Sequence, residues 1–189
     1  MTKKRFTIIV GKSASGKTTL ANYMVQNGYR KYKTTTTRPM RENETNKDYT
    51  FISEKKFLNK LDKGEFIEYN TYNVIYDNKD QVWYYGTPIL KNTRFNFSKY
   101  VIVLTLDGAM EFVKYYGKDK CKIIYLECSD DERELRARKR GSFQLSEWSR
   151  RLKADREDFG IDKVKLNCDM IIDTRKKSLE EILREVEND

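Results

Sequence analysis

There is no histidine in this chain, only two prolines and three cysteines, and no apolar run of membrane-spanning length. The missing histidine excludes Ser-His-Asp and Cys-His nucleophilic sites and any imidazole-ligated metal. Cys121, Cys128 and Cys168 are odd in number and show no C-x-x-C spacing; two lie in or beside an apolar strand, so they are expected as reduced, buried thiols with no metal or disulfide role. Pro39 and Pro88 both fall in expected loops. Without a spanning segment, and with Met1-Thr2-Lys3-Lys4-Arg5 leading straight into a strand, the expected location is the cytoplasm, with no membrane partner.

What remains is a 189-residue chain with 35% charged, 38% hydrophobic and 13% aromatic residues, which fits one folded domain better than a disordered one. The net charge of +9 would suit a phosphate-rich partner. Lys, Asn and Tyr are abundant throughout, however, so the charge reads as a chain-wide bias with no basic patch, and polymeric nucleic acid is not the expected partner. Composition sets no oligomeric state.

The chemistry begins at Gly11-Lys12-Ser13-Ala14-Ser15-Gly16-Lys17-Thr18, directly after the apolar run Phe6–Val10. This fits GxxxxGK[ST] without a mismatch. Glycine lets the backbone turn tightly enough for several N–H groups to converge on a phosphate at the positive end of the next helix. Lys17 would supply an ammonium for the β/γ-phosphates, Thr18 a hydroxyl for Mg²⁺, and Gly11, Ser13, Ala14, Ser15, Gly16 and Thr19 the rest of an ATP phosphate site. Downstream, a helix through Gln26 is closed by Asn27-Gly28, and 29–33 reads as a second short strand.

A polar, aromatic stretch then runs from Thr34 to about Asp80, with strand-like 49–52, a helix over 53–63 closed by Gly64, and an extended run over 66–72. After it the pattern returns to strand (101–106), helix (108–116), strand (123–126), a basic helical region (130–159) broken near 140–142, strand (170–172) and helix (178–187). Alternation of this kind around a phosphate loop predicts an α/β fold with a parallel sheet and helices on both faces.

A phosphate loop fixes a ligand and leaves the reaction open, so the second substrate must come from the polar stretch. There Thr36-Thr37-Arg38-Pro39-Met40-Arg41 places two guanidiniums behind a run of hydroxyls, followed by Asp48-Tyr49, by Gly64-Glu65-Phe66-Ile67-Glu68 and by Tyr84-Tyr85-Gly86-Thr87. Two arginines and two tyrosines can clamp one phosphate monoester through charge-assisted hydrogen bonds.

In this order, behind an intact phosphate loop and ahead of Arg151-Leu152, these segments resemble the guanylate kinase family over nearly the whole chain. The resemblance implies a nucleoside monophosphate kinase using ATP and Mg²⁺ on GMP or dGMP. Its parts would be a core (1–33, 88–129 and 160–189), an inserted monophosphate-binding subdomain (34–87) and a lid (130–159). By position it implies that Arg38, Arg41, Tyr49 and Tyr85 hold the acceptor phosphate, that Glu68 and Thr34 read the base with Thr87 alongside, and that Arg140 and Arg151 join Lys17 at the transferring phosphoryl group. A carboxylate suits guanine, whose N1–H and exocyclic amine are adjacent donors.

The chain departs from the family at three places. Thr105 stands where a base-contacting acid is usual, with Asp107 the only carboxylate close by. Extra residues, roughly 73–81, lengthen a hairpin after Glu68. Asp173-Thr174-Arg175 replaces an Asn-Asp element near the donor base. Alongside guanylate kinase activity, the residues leave open a kinase of the same scaffold with another acceptor nucleotide or a phosphorylated sugar, a non-catalytic interaction module, and a phosphate-loop protein acting on nucleic acid.

Overall fold

In chain order the elements are β1 (Phe6–Val10), α1 (Lys17–Gln26), β2 (Arg30–Lys31), β3 (Thr34–Thr36), β4 (Tyr49–Phe51), α2 (Glu54–Asp62), β5 (Phe66–Tyr76) and β6 (Lys79–Pro88). They continue with β7 (Tyr100–Val103), α3 (Leu106–Tyr116), β8 (Cys121–Glu127), α4 (Asp130–Lys139), α5 (Leu145–Asp158), α6 (Ile161–Asn167), β9 (Met170–Asp173) and α7 (Leu179–Asn188). The computed structural model describes residues 5–40, 49–76, 79–90, 99–139 and 143–188. Two units divide the chain, Met1–Arg30 with Ser98–Asp189 and Lys31–Phe97.

In the first unit β1 is buried at every residue, as an apolar strand covered on both faces must be. It lies at the centre of a five-stranded sheet of order β2-β7-β1-β8-β9, parallel to β7 on one side and to β8 on the other, with β8 parallel to β9. Alternation along β1 sends its side chains to opposite faces. Ile9 joins Leu20, Met24, Ile182 and Val186 in a core shared with α1 and α7. Phe6 packs edge-on against Phe112 of α3, ring centroids 5.2 Å apart. Each such buried side chain contributes about 1.5–3 kcal/mol, and the two cores hold the end of β1 from both sides.

In the second unit the sheet order is β4-β3-β6-β5. β5 and β6 form a long antiparallel hairpin paired from Phe66↔Pro88 to Tyr76↔Lys79, with a register shift between Phe66 and Glu68, and the pairs Asn73↔Val82 to Tyr76↔Lys79 make its far end. Phe57 of α2 stacks on Phe66 at 4.5 Å, over Gly86. A Cβ at Gly86 would stand 2.8 Å from the Phe66 ring, so glycine is what lets the helix close on the sheet.

The strand expected over 101–106 stops at Val103. Thr105 takes extended backbone and its hydroxyl accepts the Gly108 N–H at 3.1 Å, which starts α3 at Leu106. The strand expected over 29–33 is confined to Arg30–Lys31, and α6, a short polar helix with Val164 its buried residue, was not expected. Among the described residues no helix is long and apolar enough to cross a membrane.

Candidate active site

The loop between β1 and α1 is shaped by its backbone. Gly11 has φ +149° and Gly16 φ +100°, and even Ala14 is left-handed at φ +60°. A Cβ on Gly11 would lie 2.8 Å from the Leu126 carbonyl oxygen, a backbone atom that cannot swing away. Gly11→Ala is therefore expected to destabilise the protein by about 1–3 kcal/mol, read in a denaturant melt. Gly16 caps α1 without a side-chain hydrogen bond, so the cap residue places no side chain over the positive end of that helix.

Lys17 folds back onto the loop, donating to the Gly11 and Lys12 carbonyls at 2.7 Å each. The Ser15 hydroxyl is buried without a hydrogen-bond partner. Thr18 and Thr19 lie exposed on the first turn of α1. Beside the loop, Gly16, Thr19, Leu20, Leu126, Arg136 and Thr174 are among the residues around a recess of about 460 Å³. Arg136 of α4 spans it, donating to the Thr174 hydroxyl at 3.2 Å.

Helices α4 and α5 bring further charges to the loop. Ser13 donates its backbone N–H to both carboxylate oxygens of Asp155 at 3.0 Å, and Arg133 donates to the Ser13 carbonyl at 2.9 Å and to Asp155 at 2.6 Å. Neither Arg133 nor Asp155 stood out in the sequence, where both sit inside a long charge run. Arg151 points to Glu147 at 2.7 Å, and Arg150 binds the same carboxylate.

The Arg150 hydrogen bond, followed by those of Arg151, holds the Glu147 carboxyl down to about 2 from its ordinary 4.5, against the opposing effect of burial. A folded-state value below the unfolded one means this stabilisation is complete above about pH 4.5 and is lost as pH falls toward 2. Glu147→Gln should therefore flatten that part of the melting temperature's acid dependence.

The second unit assembles a different set. Arg38, only 4% exposed, lies over the rings of Tyr49 and Phe51 at 5.7 and 5.6 Å and donates to the Pro39 carbonyl. Tyr85 meets Tyr49 edge-on at 6.3 Å. One cation and two phenols thus share one part of this sheet. The Thr36 hydroxyl accepts the Arg38 N–H and donates to the Tyr84 carbonyl, and Thr34 begins the same strand.

Two residues along the hairpin, Glu68 faces Thr87 and accepts its hydroxyl proton at 2.5 Å. Asn70, another residue that sequence reading passed over, donates to the other Glu68 oxygen at 3.1 Å. Burial pushes the Glu68 carboxyl up, and the Thr87 hydrogen bond works against that.

Arg41 and Arg140 lie outside the described residues. Thr105 and Asp107 stand at the start of α3, where the Thr105 hydroxyl serves the helix cap and Asp107 pairs with Lys163 at 2.7 Å. Asp173 and Arg175 bind each other, at 2.8 Å through the guanidinium.

A parallel sheet flanked by helices, with an uncapped glycine-rich loop after its central strand, defines a phosphate-binding α/β protein of the P-loop NTPase type. A sequence model described as guanylate kinase matches residues 3–188. The chain belongs to the guanylate kinase family.

It is 30% identical over 183 residues to a guanylate kinase of Wolbachia pipientis wMel, covering 93% of this chain and 85% of that protein. It is 29% identical over 157 residues to one of Porphyromonas gingivalis, covering 79% and 80%. Among solved structures, guanylate kinase from Anaplasma phagocytophilum superposes with a TM-score of 0.62 at 25% identity, covering all of this chain and 86% of the other. A gluconokinase from Sinorhizobium meliloti, at 14% identity and a TM-score of 0.51, shares the fold alone.

Proposed function

We propose that this chain transfers the γ-phosphoryl group of ATP to GMP or dGMP, giving ADP and the nucleoside diphosphate. The observation that carries the reading is the Glu68–Thr87 pair on the same sheet as Arg38, Tyr49 and Tyr85. A carboxylate with two acceptor oxygens meets the paired donors of a guanine edge, and the cation with its phenols meets the monophosphate. Thr34 would support base reading, and Arg41 the phosphate.

The donor's phosphates would lie on the loop of Gly11, Ser13, Ala14, Ser15, Gly16, Lys17, Thr18 and Thr19, its base toward the recess beside Arg136 and Thr174. Lys17 would exchange the neutral Gly11 and Lys12 carbonyls for anionic phosphate oxygens, the stronger acceptors for an ammonium. Thr18 offers a hard oxygen suited to Mg²⁺. Among the described residues no group of three or more His, Cys, Asp or Glu side chains could hold a metal, so that ion would arrive bound by the nucleotide's phosphates. When bound, it neutralises charge on them.

The acceptor oxygen is already anionic, so no general base is required. The bond from the γ-phosphorus to its bridging oxygen breaks as the bond to the acceptor phosphate oxygen forms. The protein supplies position and positive charge, from Lys17 and, by exchange from Glu147, from Arg151, with Arg140 on the same lid segment. In this reading 34–87 is the acceptor-binding insertion, 130–159 the lid, and the remainder the core.

Coupled measurement of ADP release with GMP, dGMP, AMP, CMP, UMP and dTMP tests it. GMP or dGMP should exceed the others by about a hundredfold or more in kcat/KM. Preference for another acceptor, or silence from folded protein that binds ATP, would overturn it.

A further inference from the structure

Among the described residues Arg133 is the bulkiest side chain that is fully buried, at 1% exposure, although α4 around it reads Asp-Asp-Glu-Arg-Glu-Leu-Arg-Ala-Arg-Lys. Desolvating a guanidinium costs several kcal/mol unless it is fully matched. Here its two terminal nitrogens are matched by Asp155 at 2.6 Å and Asp130 at 2.7 Å, its Nε is buried without a hydrogen-bond partner, and the guanidinium lies over the Trp148 ring at 5.6 Å. Packing alone does not call for charge in this place. Two apolar residues of similar volume would fill it with little or no loss of stability.

What apolar residues could not do is hold the backbone of one residue on both sides of its Cα. Asp155 takes the Ser13 N–H on both oxygens and the Ser13 hydroxyl at 3.3 Å, while Arg133 donates to the Ser13 carbonyl. The residue so held belongs to the phosphate loop. Asp155 also lies one turn beyond Arg151 on α5, on the same face, and Trp148, three residues before Arg151, covers Arg133. One contact therefore fixes both the loop backbone and the axial position of the helix that carries Arg151.

We propose that Asp155, held by Arg133, is a positioning residue for phosphoryl transfer: together they clamp the backbone of Ser13, and the contact sets α5, and with it Arg151, in register with the phosphate loop. The inference rests on the reading that donor phosphates occupy that loop.

The test is the double variant Arg133→Met/Asp155→Leu, compared with wild type in thermal unfolding, in kcat and KM for GMP, and in ADP affinity. The last is read from Trp148 fluorescence in a Trp83→Phe background. Melting temperature should stay within a few degrees of wild type. kcat should fall by about a hundredfold, as expected for a reacting group displaced by about 1 Å, with KM for GMP nearly unchanged and ADP binding weakened by about tenfold. A stable double variant with wild-type kcat and ADP affinity would overturn the proposal.

Should the double variant not fold, Asp155→Asn keeps the shape and one acceptor and reads the same split. A lowered kcat at constant KM for GMP supports the clamp, and an unchanged kcat contradicts it. Should wild type fail to phosphorylate GMP yet bind ADP, the functional reading fails and the ADP titration still decides the clamp: weakened binding supports it and equal binding overturns it. Wild type that binds no ADP overturns both.

Discussion

Lys17→Ala is expected to lower turnover by at least about a thousandfold, with the far-UV circular dichroism unchanged. The reason is the kind of catalysis this site can perform. With no base to deprotonate an acceptor and no nucleophile to form an intermediate, the rate rests on charge placed where negative charge is being transferred. Lys17 is the cation carried by the loop motif itself, at the start of α1. Its two hydrogen bonds to the Gly11 and Lys12 carbonyls also stabilise the loop before any nucleotide arrives. Their loss should cost about 1–2 kcal/mol, visible as a fall of several degrees in melting temperature. Turnover close to wild type from the alanine variant would show that the loop is not the catalytic phosphate site.

Glu68→Gln should reduce kcat/KM for GMP by about a thousandfold. Glutamine keeps one acceptor oxygen and turns an N–H₂ donor toward the guanine edge, which also offers donors. The same change should leave the protein as stable as wild type at neutral pH, or more stable. Because burial raises the folded-state pKa of Glu68, the unfolded chain holds fewer protons between that group's unfolded and folded values, and stability falls as pH rises through this window. Glutamine has no such penalty.

The pH profile separates the group further. In wild type, kcat/KM for GMP should depend on two ionisations on its acid side, Glu68 and the acceptor phosphate with its pKa of about 6. The glutamine variant should retain only the phosphate's, so its acid limb should pass from second to first order in protons. An identical limb in both proteins would remove Glu68 from base recognition.

The sequence disclosed these two residues with unequal clarity, for a physical reason. The phosphate loop is contiguous: one turn of chain needs its glycines, its lysine and its hydroxyl at fixed spacing, so Lys17 could be placed by reading eight residues. The β1, β7 and β8 strands were visible too, since doubly covered strands must be apolar throughout. Glu68 was legible only through a family resemblance. Nothing local to Gly64-Glu65-Phe66-Ile67-Glu68 says that Thr87 will face it across a hairpin.

Arg133 and Asp155 were not legible at all. Their meaning lies in a meeting across two helices of residues 22 apart along the chain, and in sequence each is one more charge on a polar helix. Thr105 misled in the opposite way. It follows an apolar run that looks like continuing strand, whereas its hydroxyl ends that run by capping α3. Residues whose function depends on what the chain folds against them are hidden in this way; those whose function depends on local backbone shape are not.

The central claim, that the phosphoryl group passes from ATP to a guanine monophosphate, is tested most directly by following the phosphorus atoms. Phosphorus NMR of ATP, GMP and Mg²⁺ with catalytic protein should show the ATP γ resonance replaced by the β resonances of ADP and GDP in equal amounts, with no inorganic phosphate. ATP left unconsumed, or consumed to ADP and inorganic phosphate without GDP, would contradict the account.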